Sequence, residues 1–228
     1  MALQIRNVML SRSDFVLNAD VEIQGPGVAA VIGPSGGGKS TLLALIAGFL
    51  VPDQGNILWN GKVITDDLPG KRPVATLFQD NNLFPHLNVL TNVALAISQS
   101  GKPSTDVRQR VSEVLARVGL EGFESRMPSE LSGGQQSRVA LARVLLTERP
   151  LVLMDEPFAA LGPAQRKEML LLVKEVLPNA TILMVTHDPE DAKIAEKTIL
   201  VADGVVAAPQ DTEALFRDPP EALRSYLA

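Results

Sequence analysis

The chain has 228 residues, 46% of them hydrophobic and 21% charged, an ordinary balance for a soluble globular protein that fits one domain with a sizeable core. Its longest apolar run, Leu42–Val51, is half the ~20 residues that a bilayer-crossing helix needs. The start, MALQIRNVML, lacks the apolar core of an export signal, no cysteine is present for a disulfide or thiolate metal site, and a net charge of −5 without a Lys/Arg cluster argues against nucleic acid as the main ligand.

Alternation of Leu3 and Ile5, and of Leu17, Ala19, Val21 and Ile23, predicts half-buried N-terminal strands. Ala29–Ile32 reads as the end of a buried strand, and Leu42 to Leu50 as a helix. Asn60-Gly61 between Ile57–Trp59 and Val63–Ile64 is a hairpin signal, so an antiparallel element is expected beside the first strands. Val74–Phe78 predicts a further strand, ending at Gln79. From Val89 to about Glu148 the pattern is helical: Val107, Val111, Val114, Leu115 and Val118 share a face, and Gly119 is the stop. Strands return at Leu151–Met154, Thr181–Thr186 and Thr198–Val201, with a helix near Pro163–Val176 and short helices over Asp211–Tyr226. Strands interleaved with helices predict an α/β fold with a mainly parallel sheet, the N-terminal antiparallel element, and a helical insertion between Phe84 and Pro150.

Between the strand ending at Ile32 and the next helix lies GPSGGGKST, comprising Gly33, Pro34, Ser35, Gly36, Gly37, Gly38, Lys39, Ser40 and Thr41. It fits G-x-x-x-x-G-K-[ST] without mismatch. Glycines let backbone N–H groups close around an anion, the helix N-terminus adds partial positive charge, and Lys39 supplies a mobile ammonium. Ser40 offers a hydroxyl to Mg²⁺. A nucleoside triphosphate is the expected ligand. Leu151–Met154 leads into Asp155 and Glu156. A buried strand places Asp155 at its carboxyl end, where ligands of open α/β sheets bind, so it can hold Mg²⁺ while Glu156 polarises an attacking water. The third motif is Leu131-Ser132-Gly133-Gly134-Gln135. Ser132 and Gln135 form a capping-box pattern. Two glycines at a helix start cost stability unless something approaches the backbone closely, and a second anion site accounts for them.

These motifs, in this order, resemble those of the ATP-binding subunits of ABC transporters over nearly the whole chain. GPSGGGKST resembles Walker A, LSGGQ the ABC signature and LVLMDE Walker B, while Gln79 in LFQDN is similar to the Q-loop glutamine and His187 in MVTHD to the switch histidine. The resemblance implies a P-loop ATPase domain over 1–228, its core in 1–85 and 150–228 and a helical subdomain over 86–149 carrying the signature. It implies ATP and Mg²⁺, the metal held by Ser40, Gln79 and Asp155, with Glu156 as general base and His187 on the γ-phosphate. It also implies a head-to-tail homodimer in which each nucleotide meets Ser132, Gly133, Gly134 and Gln135 of the other copy. Soluble ABC ATPases of DNA repair or ribosomes share the core motifs, but the long coiled coil or the second cassette with a basic linker that marks them is not in this sequence. A P-loop kinase or GTPase would leave LSGGQ unexplained.

Within the family, Asn81-Asn82-Leu83-Phe84-Pro85-His86-Leu87 lies where importers receive a helix of the membrane permease; a buried core turn is the plain alternative. LFQDNNLFPHL, LLALIAGFLVPDQG and the short C-terminus are most similar to thiamine-importer ATPases, with ferric-iron and molybdate importers as close alternatives. The expectation is therefore a peripheral subunit on the cytoplasmic face of the inner membrane. It would bind a permease, serve a periplasmic binding protein indirectly, and power import of thiamine or its phosphates. Two departures from the family stand out. Phe15 is the sole nearby candidate for an aromatic that stacks on adenine, and core packing explains it equally well. Gly162 replaces the usual aspartate, leaving weak coupling between sites or merely a positive-φ turn before Pro163.

Overall fold

The computed structural model describes residues 1–12, 15–98, 102–221 and 223–224. In chain order the elements begin with β1 (Ala2–Arg12), β2 (Phe15–Gln24), β3 (Gly27–Ile32), α1 (Lys39–Ala47), β4 (Gln54–Trp59), β5 (Lys62–Val63) and β6 (Val74–Leu77). Helices α2 (Val89–Ala94), α3 (Thr105–Arg117) and α4 (Gly133–Leu146) follow. The last part holds β7 (Leu151–Asp155), α5 (Pro163–Val176), β8 (Thr181–Val185), α6 (Pro189–Ala192), β9 (Lys197–Ala202), β10 (Val205–Val206), β11 (Gln210–Asp211) and α7 (Thr212–Arg217). The chain divides into two compact units: Met1–Thr76 with Pro150–Glu156 and the part from Asn179 onward, and Leu77–Arg149 with Pro157–Pro178.

The sheet runs β5-β4-β1-β2-β10-β9-β3-β8-β7-β6, with β11 beside β9. At its centre β3 lies parallel to β8 and β9, and β7 parallel to β8. These strands are buried nearly throughout, which is why their sequences are continuous apolar runs rather than alternating ones. Strands β1, β2, β4 and β5 pair antiparallel, giving the expected N-terminal element. Alternation is regular along β2, but in β1 it changes phase between Ile5 and Val8, where Asn7 takes φ +48 and the register shifts. The hairpin forms at Asn60 and Gly61, both at positive φ (+51 and +79), as a tight turn matched to strand twist requires. The α/β class expected from the sequence is the one observed.

Helix α1 ends at Ala47, three residues short of the expected Leu50. Gly48 turns left-handed at φ +85, and its N–H folds back onto the carbonyls of Ala44 and Leu45. Arg72, 1% exposed, closes the same end. Its guanidinium donates to Leu45 O (2.7 Å), Ile46 O (2.9 Å), Asp67 O (2.9 Å) and Thr65 O (2.5 Å). A Cβ on Gly48 would come within 2.5 Å of Arg72 Nε, so the glycine makes room for this cap.

In the second unit, Ser104 caps α3 by accepting from Val107 N, and Val111, Val114 and Leu115 form its buried stripe. Gly119, at φ +71, stops the chain after Val118 as expected. Arg138 of α4 donates to Val118 O at 2.8 Å and pairs with Glu168 of α5, while Arg117 donates to Val176 O at 2.7 Å. Helix α5 spans Pro163–Val176 as read from the sequence. The positive-φ turn considered at Gly162 does not form: Gly162 is the N-cap of α5 in extended conformation, φ −63° and ψ 157°. Of the C-terminal helices expected over Asp211–Tyr226, α7 is present and residues 221, 223 and 224 are helical; Tyr226 lies outside the described residues.

Candidate functional site

The first unit gathers its polar groups at the carboxyl ends of β3, β7 and β8, the edge where parallel sheets leave backbone and side chains free to meet a ligand. Strand β3 delivers the chain into Gly33, where φ is +144. A Cβ there would lie 2.0 Å from Val201 O of β9; one on Gly37 would lie 2.9 Å from the same oxygen, and one on Gly38, at φ +108, 2.7 Å from Leu17 Cδ1. Three of the loop glycines are thus required by the strands they pass, before any ligand is considered. Gly36, at φ +77, is exposed and has nothing within 4 Å of its missing Cβ. The loop closes through Gly37 N donating to Pro34 O (3.1 Å), and Leu42 N donating to Gly38 O (2.8 Å) opens α1.

Lys39 is 9% exposed and lies back across the loop, its Nζ donating to Gly33 O (2.8 Å) and Pro34 O (2.9 Å). Burial pushes its pKa down, against the pull of Glu156 and Asp155. Ser40 Oγ donates to Asp155 Oδ1 at 3.3 Å, which brings the phosphate loop and the end of β7 together. Burial raises the Asp155 carboxyl, the Ser40 hydrogen bond opposes the rise, and the Glu156 charge adds to it. Glu156 departs from β7 at φ +46 while its N–H donates to Val185 O at 3.0 Å. Its Oε2 stands 3.3 Å from His187 Nδ1, and the His187 side chain is 58% exposed. His187 sits on a turn pinned at Thr186, whose N–H donates to Val31 O. The Thr186 hydroxyl donates to buried Asp191 (3.2 Å) and accepts from Asp188 N (3.0 Å).

A groove of about 570 Å³ beside the loop is lined by Phe15, Pro34, Ser35, Gly36, Gly37 and Asp203 among others. Phe15 also packs on the core, and its ring fills the space where Gly38 would carry a side chain. It therefore has both an apolar face in the core and an edge on the groove. The loop suits a polyphosphate: narrow glycine turns, a loop-facing ammonium and a helix N-terminus without an acidic residue in its first turn. Among the described residues no cluster of three or more His, Asp or Glu side chains is arranged to hold a metal.

The second unit carries the remaining residues singled out from the sequence. Gln79 follows β6 and is exposed. Ser132 and Gln135 form the expected capping box: Ser132 Oγ accepts from Gln135 N (3.3 Å) and Gln135 Oε1 accepts from Ser132 N (2.9 Å). A Cβ on Gly133 would make only an ordinary contact with Leu161, and one on Gly134 would meet nothing within 4 Å. Among the described residues nothing demands these two glycines. Phe84 is 44% exposed and Leu83 and Leu87 are half-buried, so the segment is not a buried core turn. Asn92 of α2, fully buried, holds it: its Oδ1 accepts from Phe84 N (2.8 Å) and its Nδ2 donates to Phe84 O (3.0 Å) and Leu87 O (2.7 Å). Sequence reasoning missed Arg72, Asn92 and Asp191, whose partners are backbone carbonyls, an amide and a hydroxyl rather than motif residues.

No helix among the described residues is long and apolar enough to cross a membrane. Residues 16–159 match the family model described as "ABC transporter". The chain is 55% identical over 228 residues to the thiamine import ATP-binding protein ThiQ of Cereibacter sphaeroides and 53% identical over 228 residues to that of Ruegeria sp., covering 99% of each chain in both cases. Among solved structures it is similar, at TM-score 0.76 and 30% identity, to the dimeric post-hydrolysis state of the ATP-binding cassette MJ0796 bound to ADP and Pi, covering 92% of this chain and 98% of that one. On the match over residues 16–159 and the full-length identity to these relatives, the chain belongs to the ABC transporter family.

Proposed function

We propose that this chain is the ATP-hydrolysing subunit of a thiamine importer, acting as a head-to-tail homodimer on the cytoplasmic face of the membrane beneath an integral permease. The hydrolytic part rests on one observation, the 3.3 Å contact between Ser40 Oγ and Asp155 Oδ1, because it puts a hydroxyl and a carboxylate beside a phosphate-shaped loop. The cargo rests on the names of the relatives, which are thiamine import proteins at 55% and 53% identity. MJ0796, described as dimeric, supports the pairing.

In this reading the Gly36–Gly38 amides and Lys39 neutralise the β- and γ-phosphates. Lys39 exchanges the Gly33 and Pro34 carbonyls for phosphate oxygens, so the desolvation of its ammonium is already met before nucleotide arrives. Ser40, Asp155 and Gln79 are the residues that would hold Mg²⁺, which would supply charge withdrawal from the phosphates. Glu156 accepts the proton of the water that attacks the γ-phosphorus as the bond to the β-phosphate oxygen breaks. His187 steadies the γ-phosphate and holds Glu156 in place through its 3.3 Å contact. Ser132, Gly133, Gly134 and Gln135 of a second copy approach the nucleotide from the other side; the open space at Gly134 leaves room for that approach. Residues 1–228 then act as one ATPase domain, with 86–149 as its signature-bearing helical part. The exposed Phe84 with Leu83 and Leu87 receives the permease, which a periplasmic binding protein loads.

Reconstitution with the permease and binding protein encoded beside it tests the reading. Thiamine or its phosphates should stimulate ATP hydrolysis several-fold. Stimulation by ferric iron or molybdate instead of thiamine would overturn the cargo, and absence of hydrolysis would overturn the ATPase.

A further inference from the structure

The segment between Gln79 and Leu87 is held from two helices of the second unit. Its distal half is bound by Asn92, as described above. Its proximal half contains two consecutive residues in the left-handed region, Asn81 at φ +54 and Asn82 at φ +51. Such a pair is uncommon outside glycine and directs both carbonyls the same way. Both carbonyls are taken by one side chain: Arg143 of α4 donates through Nη1 to Asn82 O at 2.7 Å and through Nη2 to Asn81 O at 2.8 Å. Arg143 is half-buried, and no carboxylate pairs with it among the described residues. A guanidinium withdrawn from water without a counter-charge is costly. Two carbonyls presented side by side satisfy it, and the planar fork of a guanidinium meets both with separate, pre-oriented N–H donors. The same helix begins at the capping box of Ser132 and Gln135.

We propose that Arg143 is a positioning residue that clamps the segment following Gln79 onto the helix that starts at the signature motif. Through this clamp, a shift of α4 when its N-terminus meets a ligand is carried to Gln79 and to the exposed Phe84. The functional half of the proposal rests on the ATPase reading above, while the clamp itself is testable on the isolated chain.

Three variants separate the clamp from a general packing role. Arg143→Lys keeps the charge and stem but loses the fork. Asn81→Val with Asn82→Val disfavours the left-handed pair from the loop side and spares the core. Asn81→Gly with Asn82→Gly keeps that conformation and both carbonyls. Hydrogen exchange of the amides from Gln79 to Leu87 is expected to quicken about tenfold or more in the Lys and Val variants, the scale of lost hydrogen bonds to a charged donor, and to stay at the parent rate in the Gly variant. Combining the Lys and Val changes should add little to either alone. Steady-state hydrolysis of ATP should show a lower kcat with unchanged KM in the Lys and Val variants and recovery in the Gly variant. Unchanged exchange in the Val variant, or acceleration spread over the whole unit, overturns the clamp. Quickened local exchange with unchanged kcat overturns its role in the cycle. A parent chain without ATPase activity overturns the functional reading on its own, and the exchange data still judge the clamp.

Discussion

At Glu156 and His187 two side chains from different strand ends stand 3.3 Å apart, and the proposed chemistry gives them unequal parts. Glu156→Gln is expected to bind Mg·ATP as the parent does and to hydrolyse it about 10²–10⁴-fold more slowly, the usual contribution of a positioned base. Size-exclusion chromatography with ATP should then show an accumulated dimer. Parental turnover in this variant would remove Glu156 from the role. Asp155 offers a test of opposite sign. Burial holds its carboxyl above the ordinary range, so the fold resists its ionisation. That cost is full once pH exceeds the folded pKa, shrinks as pH falls below it, and is gone below the ordinary carboxylate pKa. Asp155→Asn should therefore raise the melting temperature of the nucleotide-free chain at neutral pH while abolishing the added stabilisation by Mg·ATP. A lowered melting temperature would mean that its hydrogen bond with Ser40 and the attraction of the Lys39 charge outweigh burial.

At the scale of elements, caps decide much of the local structure. Gly162 occupies the N-cap of α5 with extended backbone and no side-chain cap, and a Cβ there meets nothing within 4 Å. Gly162→Asp should stabilise the isolated chain by about 0.5–1 kcal/mol through capping and the helix dipole, read by urea unfolding. The same variant should raise the Hill coefficient of hydrolysis or tighten the ATP dimer if the family's usual aspartate couples sites, since such couplings are about 1–3 kcal/mol. No stabilisation would imply that Asp at this N-cap fails to reach the first-turn amides. Phe84→Glu should leave the melting temperature within a few degrees, consistent with its 44% exposure, and weaken co-purification with the permease. A collapse in stability would show that it packs the fold. The sequence was most readable where a cap or turn is written in consecutive residues: Ser132 to Gln135, Asn60-Gly61 and Pro163 each fix their own geometry. Two-residue strands such as β10 and β11 carry too few side chains for periodicity to register. The end of α1 is not legible in the sequence because Phe49, Leu50 and Val51 continue its apolar run, while the termination lies in the φ of Gly48 and in Arg72, a residue distant in sequence. The roles of Asn92 and Arg143 are not legible for the same reason: they bind carbonyls, and carbonyls have no sequence signature.

For the whole molecule, membership of the ABC transporter family and the arrangement of Lys39, Ser40, Asp155, Glu156 and His187 in one unit leave two linked claims, that the chain spends ATP and that the expenditure moves thiamine. The proposed dimer joins them, because a nucleotide bound between two copies would favour the closed pair until hydrolysis removes the γ-phosphate. Uptake of labelled thiamine into proteoliposomes holding ATP tests both together, with the parent chain and Glu156→Gln compared in the same permease and binding-protein background. The expected result is ATP-dependent accumulation with the parent and none with Glu156→Gln. Accumulation that persists in Glu156→Gln, or a parent complex that hydrolyses ATP and imports no thiamine, would contradict it.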